Sequence, residues 1–146
     1  MKQNIINARV TFRKSPIHVL EKFAFKDMPN ACLTFKKNSS ISECVIIQTC
    51  NRIELFAASD NPNFDKIKST WASLTGQEEG VFKDTLEMCE NKDAYEHLLK
   101  LTSGLESLVV GEEQILGQIK QSISVARHVK ASGKRLNKLF DRSIRI

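Results

Sequence analysis

The sequence lacks any apolar run approaching the roughly 20 residues of a membrane-spanning helix, and residues 1–7 lack the apolar segment of a secretory signal. Its four cysteines form no C-x-x-C pair, and no paired Cys/His spacing of a zinc site occurs. These absences exclude a metal-finger module and favour a cytoplasmic protein with free thiols and no metal. The cysteines are Cys32, Cys44, Cys50 and Cys89.

A glycine-rich dinucleotide fingerprint is also missing, as are internal repeats and low-complexity segments. The 146 residues, 41% of them apolar and 27% charged, suffice for one domain with a hydrophobic core. The last helical pattern ends at Ile146 without a glycine or proline to stop it. We therefore expect the chain to be part of a longer protein.

Positive charge is concentrated near the C-terminal end. The net charge is +5, although residues 120–146 alone carry +7 and the remainder carries −2. A basic segment of this kind suits a phosphate-rich partner such as RNA. The alternative is a solvated helix face. The segment contains Lys120, Arg127, Lys130, Lys134, Arg135, Lys138, Arg142 and Arg145, with Asp141 as its one acid.

Residues 1–90 show alternating strand and helix patterns. Ser15 and Pro16 resemble an N-cap with proline at the first helical position, and Asn61 with Pro62 begins another helix that ends at Gly76. The two β-branched runs around Cys50 are separated by so few residues that they predict a tight hairpin. The predicted strands are 4–12, 44–49, 53–58 and 85–89, and a weak helical pattern covers 30–37.

The sequence pattern of residues 91–146 predicts a wholly helical part. Asn91 caps a helix to about residue 102, and longer apolar stripes predict helices over 111–130 and 134–146. The fold class is therefore α+β, a small antiparallel sheet with helices followed by a helical subdomain. The two parts are 1–90 and 91–146, the second leading into a truncated connecting helix.

Cys50 is the candidate nucleophile because it follows a buried strand, which can present one side chain to a pocket. Arg52, two residues further on, would favour the thiolate through its charge. The alternative is that Cys50 is a small core side chain, as most cytosolic cysteines are. The chemistry alone leaves both interpretations open.

Three segments resemble the glutamyl-tRNA reductase family. QTCNRIEL, residues 48–55, is similar to its reactive-cysteine motif, and HLLKLTSGLESLVVGEEQILGQIK, residues 97–120, is similar to its longest signature. LNKLFDRS, residues 136–143, resembles the point where the catalytic domain of that family meets its connecting helix. The resemblance covers essentially the whole chain and implies a ferredoxin-like sheet.

This resemblance implies an enzyme of tetrapyrrole (haem) biosynthesis that acts on glutamyl-tRNA. In the family, a cysteine displaces the tRNA to form a thioester, and NADPH reduces the thioester to glutamate-1-semialdehyde. The resemblance also implies that domains outside this chain bind NADPH and form a homodimer, with the next aminomutase of the pathway as a further partner. This chain by itself should form the thioester without reducing it.

The family motifs also imply site residues. Cys50 corresponds to the nucleophile and His97 to a histidine that donates or aligns a proton. The helical spacing of Gly111, Gln114 and Gln118 places them on one face, from which Glu113 points away. The implied substrate-binding residues are Thr49, Asn51, Arg52, Ser107, Glu112, Glu113, Gln114 and Gln118.

The segment after the first strand departs from the family pattern, since residues 12–16 read FRKSP where the family has a histidine and a Thr/Ser-Ala/Ser-Pro sequence. Two other functions remain open. One is a non-catalytic tRNA-binding module that uses the basic helices. The other is a cysteine-dependent esterase, in which water hydrolyses the thioester.

Overall fold

The computed structural model describes residues 4–104 and 115–145. Four strands form one antiparallel sheet in the order β2-β3-β1-β4. This order is that of a split β-α-β arrangement, so the predicted α+β class with a small antiparallel sheet is confirmed. The strands are β1 (Asn4–Thr11), β2 (Glu43–Gln48), β3 (Arg52–Ser59) and β4 (Glu87–Glu90).

The central strand β3 is buried along its whole length because both faces of the sheet are covered. Its neighbours β1 and β2 are almost as buried, as expected for strands that lie between two layers. Ile53 opposes Val10 on one side and Gln48 on the other, and this register brings the ends of three strands together beside Cys50. The predicted hairpin between β2 and β3 is confirmed.

The first helical layer lies against one face of the sheet. An aromatic cluster fills this interface, and the Trp71 Nε1–H donates to the Phe23 carbonyl at 2.9 Å. The ring is thereby buried without an unpaired donor. The layer contains α1 (Ile17–Leu20), a 3₁₀ turn (Glu21–Phe23), α2 (Met28–Asn38), α3 (Phe64–Thr75) and a second 3₁₀ turn (Glu79–Phe82).

Two predicted N-caps are wrong by one or two residues. Pro16 occupies the N-cap position of α1, with Ser15 outside the helix, and Asn63 caps α3 where the sequence predicted Asn61. The Asn63 side chain accepts from the Lys66 N–H at 3.1 Å. Proline has a fixed φ that suits extended backbone before a helix as well as the first turn, so its position does not fix the boundary.

The second helical layer covers the opposite face of the sheet. Phe140 packs edge-on against Phe56 of β3, with ring centroids 5.4 Å apart. The Ala131 carbonyl accepts from the Cys44 N–H at 3.0 Å, which occupies part of the open edge of β2. The layer consists of α4 (Lys92–Ser103), α5 (Ile115–His128) and α6 (Lys134–Arg145).

The helix predicted over 111–130 begins, within the described residues, at Ile115 and ends at His128. Its first four predicted residues lie outside the described ranges. Across 4–104 and 115–145, every helix is too short or too polar to cross a bilayer.

Candidate active site

Cys50 lies in the tight turn that joins β2 to β3. The Thr49 N–H donates to the Arg52 carbonyl at 2.9 Å, and the Asn51 N–H donates to the Thr49 hydroxyl at 3.0 Å. These two bonds close the turn around Cys50, whose side chain is exposed and whose thiol is free. The turn thus presents the sulfur at the end of a rigid strand.

The residue that follows β1 also holds this turn through a backbone hydrogen bond. The Phe12 N–H donates to the Asn51 carbonyl at 2.9 Å. Two guanidinium groups lie near the Phe12 ring, that of Arg13 at 5.3 Å and that of Arg52 at 5.6 Å from its centroid. The segment that departs from the family pattern therefore contacts the predicted site.

A buried triad of charged and titratable side chains lies on the α4 side of β3. Arg52 Nη1 donates to Glu54 Oε2 at 2.9 Å, and His97 Nε2 lies 2.7 Å from Glu54 Oε1. Arg52 is 1% exposed and His97 is 8% exposed, so water screens these contacts little. Because Glu54 holds both side chains, it fixes the positions of the predicted Arg52 and His97 relative to each other.

The network continues across β1 to β4. Asn7 Nδ2 donates to Glu54 Oε1 at 3.0 Å, and the Asn7 Oδ1 accepts from Arg9 at 2.7 Å. Arg9 also contacts the Glu87 carboxylate at 3.5 Å and the Cys89 sulfur at 3.5 Å. The register of the strands explains the network, since Asn7 pairs with Cys89, and Arg9 pairs with Glu54 and Glu87.

The pKa of Glu54 is about 2, well below its usual value. Burial by itself would raise this pKa, but the hydrogen bond and charge of His97, together with those of Arg52, outweigh that effect. The carboxylate is therefore charged at all physiological pH values and acts only as an acceptor. It follows that His97 donates its Nε2–H to Glu54, which leaves Nδ1 for another partner.

A cleft of about 280 Å³ opens over this network. It has three guanidinium groups and one carboxylate in its walls, together with a hydroxyl and an imidazole. Such a lining suits a small ligand that carries a carboxylate, because arginine binds carboxylates through two parallel hydrogen bonds. The lining residues are Arg9, Thr11, Arg13, Arg52, Glu87 and His97.

The structure brings some predicted residues together and separates others. Arg52 and His97 meet at Glu54, and Thr49 and Asn51 form the turn with Cys50. The Asn51 Oδ1 is buried without a partner in the described part of the chain. Gln118 is exposed on α5 and lines a different cleft, of about 470 Å³, beside Gln48. The predicted Ser107, Glu112, Glu113 and Gln114 lie outside the described residues.

The carboxylate at the centre of the site was not predicted from the sequence. Glu54 lies two residues after Arg52, and this spacing places both on one face of a strand. A charged pair within a strand that is otherwise apolar was the available signal. The network adds Asn7, Arg9, Glu87 and Cys89, and the cleft adds Thr11; these residues join the site only through the pairing of distant strands.

A family model described as the N-terminal domain of glutamyl-tRNA(Glu) reductase matches residues 8–146. The chain belongs to the glutamyl-tRNA reductase family. Its relatives include the glutamyl-tRNA reductase of Cenarchaeum symbiosum, 56% identical over 99% of this chain and 35% of that protein. The glutamyl-tRNA reductase of Brevibacillus brevis is 35% identical over 97% of this chain and 32% of its own length.

A solved structure of the glutamyl-tRNA reductase from Methanopyrus kandleri has the same fold, with a TM-score of 0.79 and 26% sequence identity. The match covers 97% of this chain and 32% of that structure. The chain thus spans about a third of the length of the family members it matches. It corresponds to the N-terminal domain of a glutamyl-tRNA reductase.

Proposed function

We propose that this chain captures the glutamyl group of glutamyl-tRNA on Cys50, as the first half of the glutamyl-tRNA reductase reaction. One observation supports this above the others. The exposed Cys50 thiol lies in a turn that is held by hydrogen bonds. It is two residues from Arg52, which lines a cleft suited to a carboxylate. Membership of the family supplies the substrate, because its members are named for glutamyl-tRNA.

In the proposed step, the Cys50 thiolate attacks the carbonyl carbon of the aminoacyl ester. A carbon–sulfur bond forms, the ester carbon–oxygen bond breaks, and the terminal ribose of the tRNA leaves as an alkoxide that takes up a proton. The products are a glutamyl thioester and free tRNA. Arg52, with Thr49 and Asn51, would hold the glutamyl group.

We assign His97 the role of proton donor or aligning group. Its Nε2 is held by Glu54 at 2.7 Å, and its ring lines the cleft. Nδ1, which has no recorded partner among the described residues, is the nitrogen that would exchange a proton with a ligand. The predicted roles of Gln118 and of the four residues outside the described ranges remain predictions.

Reduction of the thioester to glutamate-1-semialdehyde needs a hydride donor, which we expect to be NADPH. The described residues do not fit this cofactor, since their sheet is wholly antiparallel and lacks the parallel strand–turn–helix unit of a dinucleotide site. We therefore assign the reduction, the place in tetrapyrrole synthesis, the homodimer and any contact with an aminomutase to the longer protein. The cytoplasm remains the expected compartment.

The assignment of Cys50 can be tested by mass spectrometry of the chain after incubation with glutamyl-tRNA and an acid quench. Wild type should gain one glutamyl group, and Cys50→Ser should lower the rate of acylation by at least about a thousandfold, because a hydroxyl is a much weaker nucleophile at neutral pH. Cys44→Ala is the matched control, since this buried thiol lies near the start of β2, outside the turn and outside the Glu54 network. Unchanged acylation of Cys50→Ser would overturn the proposal.

The same assay separates the two other functions. A cysteine-dependent esterase would release free glutamate at a rate that depends on Cys50, with the thioester as a transient species. A non-catalytic tRNA-binding module would bind glutamyl-tRNA and leave the ester intact. The basic surface of α6 favours RNA binding in addition to acyl transfer.

A further inference from the structure

A groove of about 600 Å³ lies between α4, α6 and the beginning of β1, on a part of the surface that the proposed acyl transfer does not use. Four cationic side chains of α6 line it, and all four are exposed. A half-buried tyrosine and two aliphatic side chains form the rest of the wall. The lining residues are Ile5, Tyr95, Lys134, Arg135, Lys138, Leu139 and Arg142.

The cations of this basic groove have no recorded carboxylate partner within the described residues. The nearest acid along the helix, Asp141, is already paired with Arg127 of α5 at 2.7 Å. Asp141 is therefore engaged by a cation outside the groove, and the groove keeps an excess of positive charge. A row of unpaired cations along one helix attracts a polyanion.

The position of two of these cations opposes the stability of their own helix. Lys134 and Arg135 stand in the first turn of α6, where the helix dipole disfavours positive charge. The buried Glu43 offsets this arrangement by accepting from three backbone N–H groups of that turn. The charges are therefore placed where they do not serve the fold, which indicates a role in binding.

Tyr95 gives the groove an aromatic surface beside the cations. Its ring is half-buried, and the phenol has no recorded hydrogen bond among residues 4–104 and 115–145. Cations that neutralise phosphates next to an aromatic side chain that stacks on a base are the combination found in grooves that bind nucleic acids. An acidic protein segment would satisfy the cations without using the ring.

The groove lies at the far end of β1 from the candidate thiol. Ile5 borders the groove, and Phe12, just after the last residue of β1, is bonded to the turn that contains Cys50. Ile5 and Thr11 are six residue steps apart along the strand, which corresponds to about 20 Å. That length is of the order of a few nucleotides of single-stranded RNA, whose unpaired bases are free to stack on an aromatic ring. A polynucleotide whose 3′ end is at Cys50 can therefore reach the groove.

We propose that the basic groove binds the phosphate backbone of the acceptor arm of tRNA, with Tyr95 stacking on an exposed base. This inference rests on the proposed function for its choice of RNA. The acceptor end carries the ester to Cys50, and the groove holds the strand behind it. Lys134, Lys138 and Arg142, at successive intervals of four residues, follow one face of α6 and would contact successive phosphates.

The test compares two triple variants of the chain. Lys134→Gln, Lys138→Gln and Arg142→Gln remove three charges from the groove, and glutamine keeps the helix propensity nearly unchanged. Lys22→Gln, Lys26→Gln and Lys37→Gln remove three exposed charges from the first helical layer and serve as the matched control. The affinity for uncharged tRNA(Glu) is measured by filter binding from 50 to 300 mM salt.

The groove variant should bind at least about 30-fold more weakly at the lowest salt, and its slope of log K against log salt should fall by about 2 to 3. The control variant should stay within about threefold of wild type. Tyr95→Ala should weaken binding about tenfold, and Tyr95→Phe should not. Equal affinities and equal slopes for wild type and the groove variant would overturn the proposal, as would an equal loss in the control variant.

A second measurement separates this proposal from the assignment of Cys50. Acylation by the α-ethyl ester of glutamate, which has no RNA, should proceed at the same rate in wild type and in the groove variant. Loss of tRNA binding with intact ester reactivity supports the groove. If wild type fails to react with glutamyl-tRNA although the groove variant loses binding, the groove is retained and the acyl-transfer proposal fails. Lost ester reactivity in the groove variant would indicate damage to the fold and overturn the assignment.

Discussion

Glu54 is the residue on which the geometry of the candidate site depends. Its fully buried carboxylate receives hydrogen bonds from Arg52 and Asn7 and contacts His97. An isolated buried carboxylate would cost several kcal/mol, so these partners are needed for the charge to persist. Glu54 does not line the cleft, and we regard it as a positioning residue that holds Arg52 and His97 for a ligand.

The stability of the fold should depend on pH through Glu54. Its pKa is lowered from 4.5 to about 2 on folding, so its contribution is fully present above pH 4.5 and is lost as the pH falls toward 2. A lowering of that size corresponds to about 3 kcal/mol of unfolding free energy. Urea unfolding at pH 5, 4 and 3 should show the decline, which Glu54→Gln should largely remove.

A second carboxylate of the same network provides the control. Glu87→Gln changes a carboxylate that is 28% exposed and faces Arg9 at 3.5 Å. This variant should retain most of the wild-type slope. A wild-type stability that is constant from pH 5 to pH 3 would contradict the interpretation of the Glu54 network.

The start of α6 is the clearest case in which one element stabilises another. Glu43, the first residue of β2, accepts from the Gly133 N–H at 2.7 Å, the Leu136 N–H at 2.8 Å and the Arg135 N–H at 3.2 Å. A carboxylate at a helix N-terminus satisfies free donors and favours the helix dipole. The edge strand thus fixes where the basic helix begins.

Gly133 is required at this junction for reasons of space. A Cβ atom at this position would lie 2.9 Å from Glu43 Cδ and 3.1 Å from Cγ. Gly133→Ala should therefore lower the unfolding free energy by about 1–3 kcal/mol. Glu43→Ala alone should cost about 2–4 kcal/mol by leaving three donors unpaired. Denaturant unfolding of the single and double variants measures both.

The informative quantity is the coupling between the two substitutions. With Glu43 truncated, the added methyl group meets open space, so Gly133→Ala should cost less than about 1 kcal/mol in that background. Gly80→Ala is the matched control, because its Cβ would meet nothing within 4 Å. Strictly additive effects at Gly133 and Glu43 would rule out the steric explanation.

At the scale of the molecule, the sequence predicts the elements better than the site. The apolar periods of α4 and α5 and the β-branched run of β2 identify those elements because burial selects for them. Asn91 illustrates a limit. It occupies the predicted N-cap position, yet its side chain accepts from the Ile5 N–H at 3.0 Å and makes no cap bond. The contact with Ile5, which is distant in the sequence, takes the place of the local cap bond. No local sequence pattern predicts such a contact.

The same limit explains the candidate site. Thr49, Cys50, Asn51 and Arg52 are contiguous, so one motif identifies them. Glu54 and His97 are 43 residues apart in sequence, and Asn7 reaches Glu54 only because β1 lies beside β3. Strand order cannot be read from periodicity, and the network depends on it. The resemblance indicated His97, but only the sheet explains why it meets Arg52.

The two helical layers share one sheet, and we therefore expect the molecule to unfold as a single cooperative unit. Phe140 of α6 is fully buried against Phe56 of β3, and Trp71 of α3 lies in the layer on the other side. Because β3 is buried on both faces, loss of packing on one face should destabilise the other.

Phe140→Ala should lower the unfolding free energy by about 3–5 kcal/mol. Trp71 fluorescence and far-ultraviolet circular dichroism should report this change with one common midpoint. Phe140→Leu, which keeps more of the buried volume, should cost less than half as much. If Trp71 retains its wild-type transition while the helical signal melts early, then the helical layer unfolds separately and the sheet is stable with one face uncovered.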